Sequence, residues 1–284
     1  MTRLADIQRH IVGMQELGDI VGAMRSLAGM RLQETQQALP GIRRYGESMA
    51  QAVGAAVMLM PAPEAAAPRE RGARGIILCA AEHGFVGGFN ERLVEAALSQ
   101  LERRDQFFVL GSRGAALAFE RGQPVSWSHP MATRVAGVPD SIDALTRELY
   151  RRIARGELSR IEVLFGRYQQ GGGSSIERQL LLPLDTESLL RAQPRQPGLH
   201  NLRPDLLLEK LMQEYVFALL TEAAVESIAS ENAARFAAMD AAHDNISKRA
   251  AELTQEARVA RQSEITAELL DLIVGAEALD LRIR

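Results

Sequence analysis

The feature that most constrains this chain is an uninterrupted helical pattern near its C-terminal end. Val225, Ala229, Asn232, Phe236, Met239, His243, Ile246, Ala250, Leu253, Ala257 and Ala260 recur at alternating steps of four and three, and no proline follows Pro204. Such spacing keeps one narrow stripe on one side of a helix. From about 205 to 280 the rise of an α-helix gives roughly 110 Å, longer than the core of a small domain.

The N-terminal end carries a similar seam. Ile7, Ile11, Met14, Val21, Met24, Ala28, Leu32, Thr35, Leu39, Ile42, Tyr45, Met49 and Ala56 advance by threes and fours, or by sevens where a step is skipped. This predicts a helix from residue 3 to about 58, roughly 80 Å long. Pro40 with Gly41 is expected to kink or locally break it. Two such helices cannot each find a partner inside a small domain, so the economical solution is that they pair with each other, antiparallel. An alanine-rich seam lets the backbones approach, and Leu, Ile and Met supply burial at about 25 cal/mol per Å². The C-terminal helix then outruns its partner by about 20 residues. Ile265, Leu269, Leu272, Ile273, Ala276 and Leu279 would face water there, and an apolar patch of that kind implies a partner surface.

Between the ends the pattern changes. "MPAPEAAAPRERGARG" is rich in Pro, Ala and Arg and reads as a linker, placed at 59–72. "RGIILCAAEHG" reads as a strand buried on both faces, "GFNERLVEAALSQLERR" as a helix and "DQFFVLGSRG" as a strand and turn. "AALAFERG" is a short helix, "QPVSWSH" a strand and "DSIDALTRELYRRIARGE" a helix. "SRIEVLFGRYQQGGGSSIERQLLLPL" is a hairpin with a Gly-rich turn. Strands alternating with helices predict a mostly parallel sheet in an α/β layer. "RAQPRQPGLHNLRP", with three prolines, closes it.

Composition narrows the function. An apolar fraction of 46% and a charged fraction of 24% fit an ordinary globular protein. A net charge of -3 argues against a nucleic-acid partner. Cys79 is alone, which excludes an intrachain disulfide, and inside "GIILCAA" it reads as a buried core thiol. The N-terminus shows no signal-peptide pattern. The longest apolar run, "AVGAAVMLM", is about half a membrane span. The expectation is an intracellular chain that meets a membrane only through partners.

No catalytic constellation emerges, and no cofactor or metal is expected. "GFVGGFN" has the look of a phosphate-cradling turn, but neither a G-x-x-x-x-G-K-[ST] motif nor a G-x-G-x-x-G is present there, so a tight packing turn is the better reading. Glu82 and His83 are adjacent after a strand, with no other His at ligand spacing. The five histidines form no triad-like group. Asn232 and His243 sit on the seam and are expected to set register. Trp127 reads as a core or domain-surface residue.

These same residues carry a family resemblance. "SENAARFAAMDAAHDN" resembles "SEHAARMVAMKAATDN" of the γ subunits of F-type ATP synthases, and Ile265-Thr266, Glu268, Asp271, Gly275-Ala276 and Ala278 fit that family's C-terminal signature. "EHGFVGGFN" resembles the family's "GLCGGFN" turn, and "AMRSLAGMRLQETQQ" its "AMKMVAASKMRRAQ". The resemblance covers about two thirds of the chain. It departs where the family carries lysines: Gly18 or Asp19, Gly22 and Gly29 stand there, while Arg31 is retained. The departures mark a divergent branch, and the γ-like subunit of a second, sodium-translocating F-type ATPase is the alternative reading. A coiled-coil scaffold with no ATPase role is a remoter one, as is an enzyme on a doubly wound sheet.

The resemblance implies a fold: a Rossmann-like α/β domain at 73–200 inserted between coiled-coil helices at 1–58 and 205–284. It implies a non-catalytic rotor that couples ion flow through the membrane sector to ATP synthesis or hydrolysis. The implied partners are an alternating hexamer of alpha and beta subunits, the epsilon subunit and the c-ring, on the cytoplasmic side of a bacterial inner membrane. Met24, Arg25 and Arg31 fall where the N-terminal helix passes the hexamer. Arg261, Gln262 and Thr266 match the positions that catch a beta-subunit loop, and Ile265, Leu269, Leu272, Ile273 and Leu279 form an apolar bearing. Outside the motif, Arg31 and Arg261 would read as solvated helix faces.

Overall fold

Strand β1 (Ala73–Cys79) feeds two cores at once. Ile77 and Cys79 join one cluster, Ile76 and Leu78 the other, and all four are fully buried. That is the consequence of period-two alternation in a strand apolar on both faces. The computed structural model describes residues 3–60, 72–169, 173–185, 189 and 199–283.

Around β1 lie β2 (Gln106–Leu110), β3 (Trp127–His129), β4 (Leu158–Gln169) and β5 (Gly173–Leu182). The sheet order is β3-β2-β1-β4-β5. β1 pairs in parallel with β2 and β4, and β2 with β3, whereas β5 runs antiparallel to β4 at the edge. The mixed sheet is thus as expected, with the turn of the hairpin at 170–172 outside the described residues. Helices α2 (Phe89–Leu98) and α3 (Ser112–Glu120) supply the core on one face. Helix α4 (Val138–Ala154) supplies the other, with Leu39 and Ile42 of α1 (Arg3–Val57) and Val216 to Ile228 of α5 (Pro204–Ile283).

Several expectations need correction. α2 ends at Leu98, short of the predicted "SQLERR" extension. Asp105 stops it: its carboxylate accepts the Glu102 N–H at 2.8 Å and Arg74 Nη2 at 2.5 Å, which folds the segment into turns. β3 is shorter than "QPVSWSH". Pro124 has no N–H for a ladder, and the Ser126 hydroxyl takes the Phe107 N–H at 3.1 Å in place of a strand carbonyl. α3 starts at Ser112 rather than Ala115, because Glu82 holds the Ser112 N–H. α1 does not break at Pro40. Pro40 is exposed, and Leu39 and Ile42 beside it are packed into the sheet core, so tertiary burial outweighs the lost hydrogen bond.

The chain divides into two compact units. Leu27–Phe236 contains the sheet and its helices. The residues up to Ser26, with those from Ala237 onward, form the other. In that second unit Ile7, Met239 and Leu253 are buried. Gly18 lies close enough to the facing helix that a Cβ there would sit 3.6 Å from Ile246 Cγ2. Arg25 Nη1 donates to Asp240 Oδ1 at 2.9 Å.

Candidate functional site

At the carboxyl end of the sheet, α5 is docked through polar groups. The Ser227 hydroxyl donates to the Cys79 carbonyl at 2.6 Å, at the end of β1. Gly166 of β4 has no room for a side chain: a Cβ would lie 2.8 Å from the Phe89 ring and 3.0 Å from Ser230 Cβ. This is the crevice where a doubly wound sheet admits a ligand, and here Phe89 and α5 fill it. The "EHGFVGGFN" turn folds around that contact. Asn90 Oδ1 accepts the Ala81 N–H at 3.0 Å, Val86 is buried, and Phe85 stands 69% exposed at φ 61. A positive φ on a bulky residue is held only by its surroundings.

Two carboxylates organise the region. Glu82 accepts the Ser112 N–H at 2.9 Å, the Ser112 hydroxyl at 2.6 Å and the Met131 N–H at 2.9 Å. Burial pushes its carboxyl up, but these bonds and the nearby His83 outweigh burial and hold it below the ordinary value. Glu82 therefore ties together the loops after β1, β2 and β3. Gly111 supports the same knot with φ 106, since a Cβ there would lie 2.3 Å from the Ala80 carbonyl oxygen. Among the described residues no group of three or more His, Cys, Asp or Glu is placed to hold a metal ion.

Glu231 accepts Arg235 Nη2 at 2.6 Å, and Arg235 also donates to Asn232 Oδ1 at 3.2 Å and to the Gly84 carbonyl at 3.3 Å. Burial raises the Glu231 carboxyl pKa against the opposing pull of Arg235, His83 and Arg31. Asn232, read as a register residue, instead joins this cluster and donates to the Ile228 carbonyl at 2.8 Å. The sequence reading missed the cluster. Its only trace was a Glu and an Arg four apart within "SENAARF", a spacing that usually means a solvated helix face.

The residues matched by resemblance are placed as follows. Met24 is half-buried, and Arg25 holds Asp240. Arg31 is half-buried with its Nε enclosed and without a hydrogen-bond partner among the described residues. Arg261 and Gln262 are exposed, and the Thr266 hydroxyl donates to the Gln262 carbonyl of its own helix at 2.8 Å. Ile265, Leu269, Leu272 and Ile273 are all more than half exposed, Leu272 at 70%. The side chain of Leu279 lies outside the described residues. Val259 and Leu270, equally exposed, extend the apolar surface beyond the expected set.

The ATP synthase family model matches residues 3–279. A curated ATP synthase gamma chain from Moorella thermoacetica is 28% identical, covering 98% of this chain and all of the relative. One from Desulfosudis oleivorans is 29% identical over 98% of this chain and 99% of the relative. In the solved Euglena gracilis mitochondrial ATP synthase, described as OSCP/F1/c-ring, a chain shares the fold with TM-score 0.65 at 14% identity, covering 97% of this chain and 94% of that one. In the central stalk/c-ring structure from Tetrahymena thermophila, the TM-score is 0.58 at 16% identity, with 78% and 99% covered. The chain belongs to the family of ATP synthase gamma chains.

Proposed function

We propose that this chain is the central rotor stalk of an F-type ATP synthase, coupling ion flow in the membrane sector to nucleotide turnover in an alpha/beta hexamer. The observation that carries the proposal is the exposed apolar stripe Ile265, Leu269, Leu272 and Ile273 within the family signature. Steps of four join Ile265, Leu269 and Ile273, and Leu272 lies three beyond Leu269, so these side chains share one side of the helix, where they serve as the bearing. Membership of the gamma-chain family supports the reading.

In this reading the N- and C-terminal helices, placed at 1–58 and 205–284, pair as an antiparallel coiled coil, and the 73–200 domain is inserted between them. The close approach at Gly18 and Ile246 and the Arg25–Asp240 bond support the pairing. The stalk is non-catalytic. Nucleotide chemistry stays in the hexamer, and the stalk biases its conformations through contacts that differ between them. Met24, Arg25 and Arg31 meet the hexamer from the N-terminal helix, Arg261, Gln262 and Thr266 form the catch, and Leu279 extends the bearing. Release of the Thr266 hydroxyl from its own helix frees it for that contact. The epsilon subunit and c-ring bind the globular end, on the cytoplasmic side of a bacterial inner membrane. Among the described residues no helix is long and apolar enough to cross a membrane.

Co-expression with the alpha and beta subunits of the same organism tests the proposal. Co-purification as a single copy per hexamer, with sustained ATP hydrolysis above that of the hexamer alone, is the expected result. A chain that neither binds nor stimulates would defeat it.

A further inference from the structure

Glu226 of α5 is a buried carboxylate shared between two layers of the fold. Its side chain is 3% exposed. Arg43 of α1 hydrogen-bonds it through Nη2 and reaches Glu222, one turn earlier on α5, through Nε at 3.1 Å. From the other side, Arg167 of β4 brings its Nε to 3.9 Å from the same Glu226 oxygen. Arg167 is itself held by Glu177 of β5 at 3.0 Å, with its guanidinium 5.7 Å from the Phe165 ring centroid. One ionic chain therefore runs from β5 through β4 and α5 to α1.

The two cations differ in one respect. Arg43 is hydrogen-bonded to the carboxylate, whereas Arg167 Nε is enclosed and makes no hydrogen bond among the described residues. At 3.9 Å the second pair attracts without bonding. A buried carboxylate must keep a cation, and here a second one waits about an ångström beyond bonding range. Guanidinium forks bond directionally, so a small turn of α5 against the hairpin trades one bonded partner for the other without stranding the charge.

We propose that Glu226 is the torsional joint of the stalk, a positioning residue whose carboxylate passes between Arg43 and Arg167 under load and so carries twist between the paired helices and the sheet. This rests on the central-stalk reading above. The test uses the whole complex in lipid vesicles and measures both ATP hydrolysis and ATP-driven ion uptake. In Glu226→Gln and in Arg167→Gln, uptake per ATP hydrolysed is expected to fall about fivefold, the lower end of ordinary coupling, while hydrolysis by the complex detached from the membrane is unchanged. Arg43→Lys, which keeps the cation, should retain more uptake than Arg43→Gln. An unaltered ratio of uptake to hydrolysis overturns the joint. So does loss of folding in both Gln variants, which would make the cluster a structural brace. Failure of the wild-type chain to assemble would instead strike the stalk reading.

Discussion

α5 passes through two environments with one apolar vocabulary. Leu220, Val225 and Ile228 are buried against the sheet. Ile265, Leu269, Leu272 and Ile273 carry the same kinds of side chain with more than half their surface in water. Helix propensity does not separate the two stretches. What separates them is whether the chain itself supplies the opposing surface. The first stretch is complete within the fold; for the second, the rotor reading proposed above puts the complement in the hexamer.

Truncating the buried stretch should cost most. Ile228→Ala is expected to destabilise the sheet-bearing unit by about 3 kcal/mol, through lost burial and an unfilled cavity, measured by urea unfolding. An effect near zero would mean that α5 is not integral to that core. The exposed stretch should behave in the opposite way. Leu269→Gln with Leu272→Gln should leave the isolated chain within about 0.5 kcal/mol of wild type. The same pair should weaken hexamer binding about tenfold or more, as loss of central apolar anchors does. Equal binding by wild type and variant would remove the bearing from the comparison.

The smallest expected effect concerns pH. Glu82 has its folded pKa depressed. Its contribution to stability is therefore present above the unfolded value, about 4.3, and is lost as pH falls through the folded one. Between about pH 6 and about pH 3.5 the urea midpoint of wild type should fall further than that of Glu82→Gln. Parallel declines would show that the three hydrogen bonds to Glu82 add nothing that depends on its charge.

Periodicity made much of this fold legible. β1, α4 and the long helices follow from apolar spacing because burial dictates spacing directly. The misses are places where tertiary contacts override local rules. Pro40 stays helical because Leu39 and Ile42 are anchored. β3 is cut short where Ser126 replaces a backbone partner. The site was less legible than the fold. The exposed apolar residues Ile265, Leu269, Leu272 and Ile273 could be marked in the sequence because apolar spacing without a visible partner stands out. The Glu231–Arg235 and Glu226–Arg43–Arg167 clusters were not, because a charged residue on a helix looks the same in sequence whether it meets water or a buried counter-charge.

Cys79 gives the core a built-in clock. It is the only thiol in the chain, it is fully buried on β1, and burial pushes its pKa up to about 12. Thiolate is the form that attacks a maleimide or similar alkylating reagent, so the reagent should find no target until β1 separates from its covering helices. The rate of labelling under native conditions then counts openings of the sheet, not fluctuations of the surface. The one thiol of the chain becomes, by being shut away, a tracer of how often this core comes apart while the protein is at work.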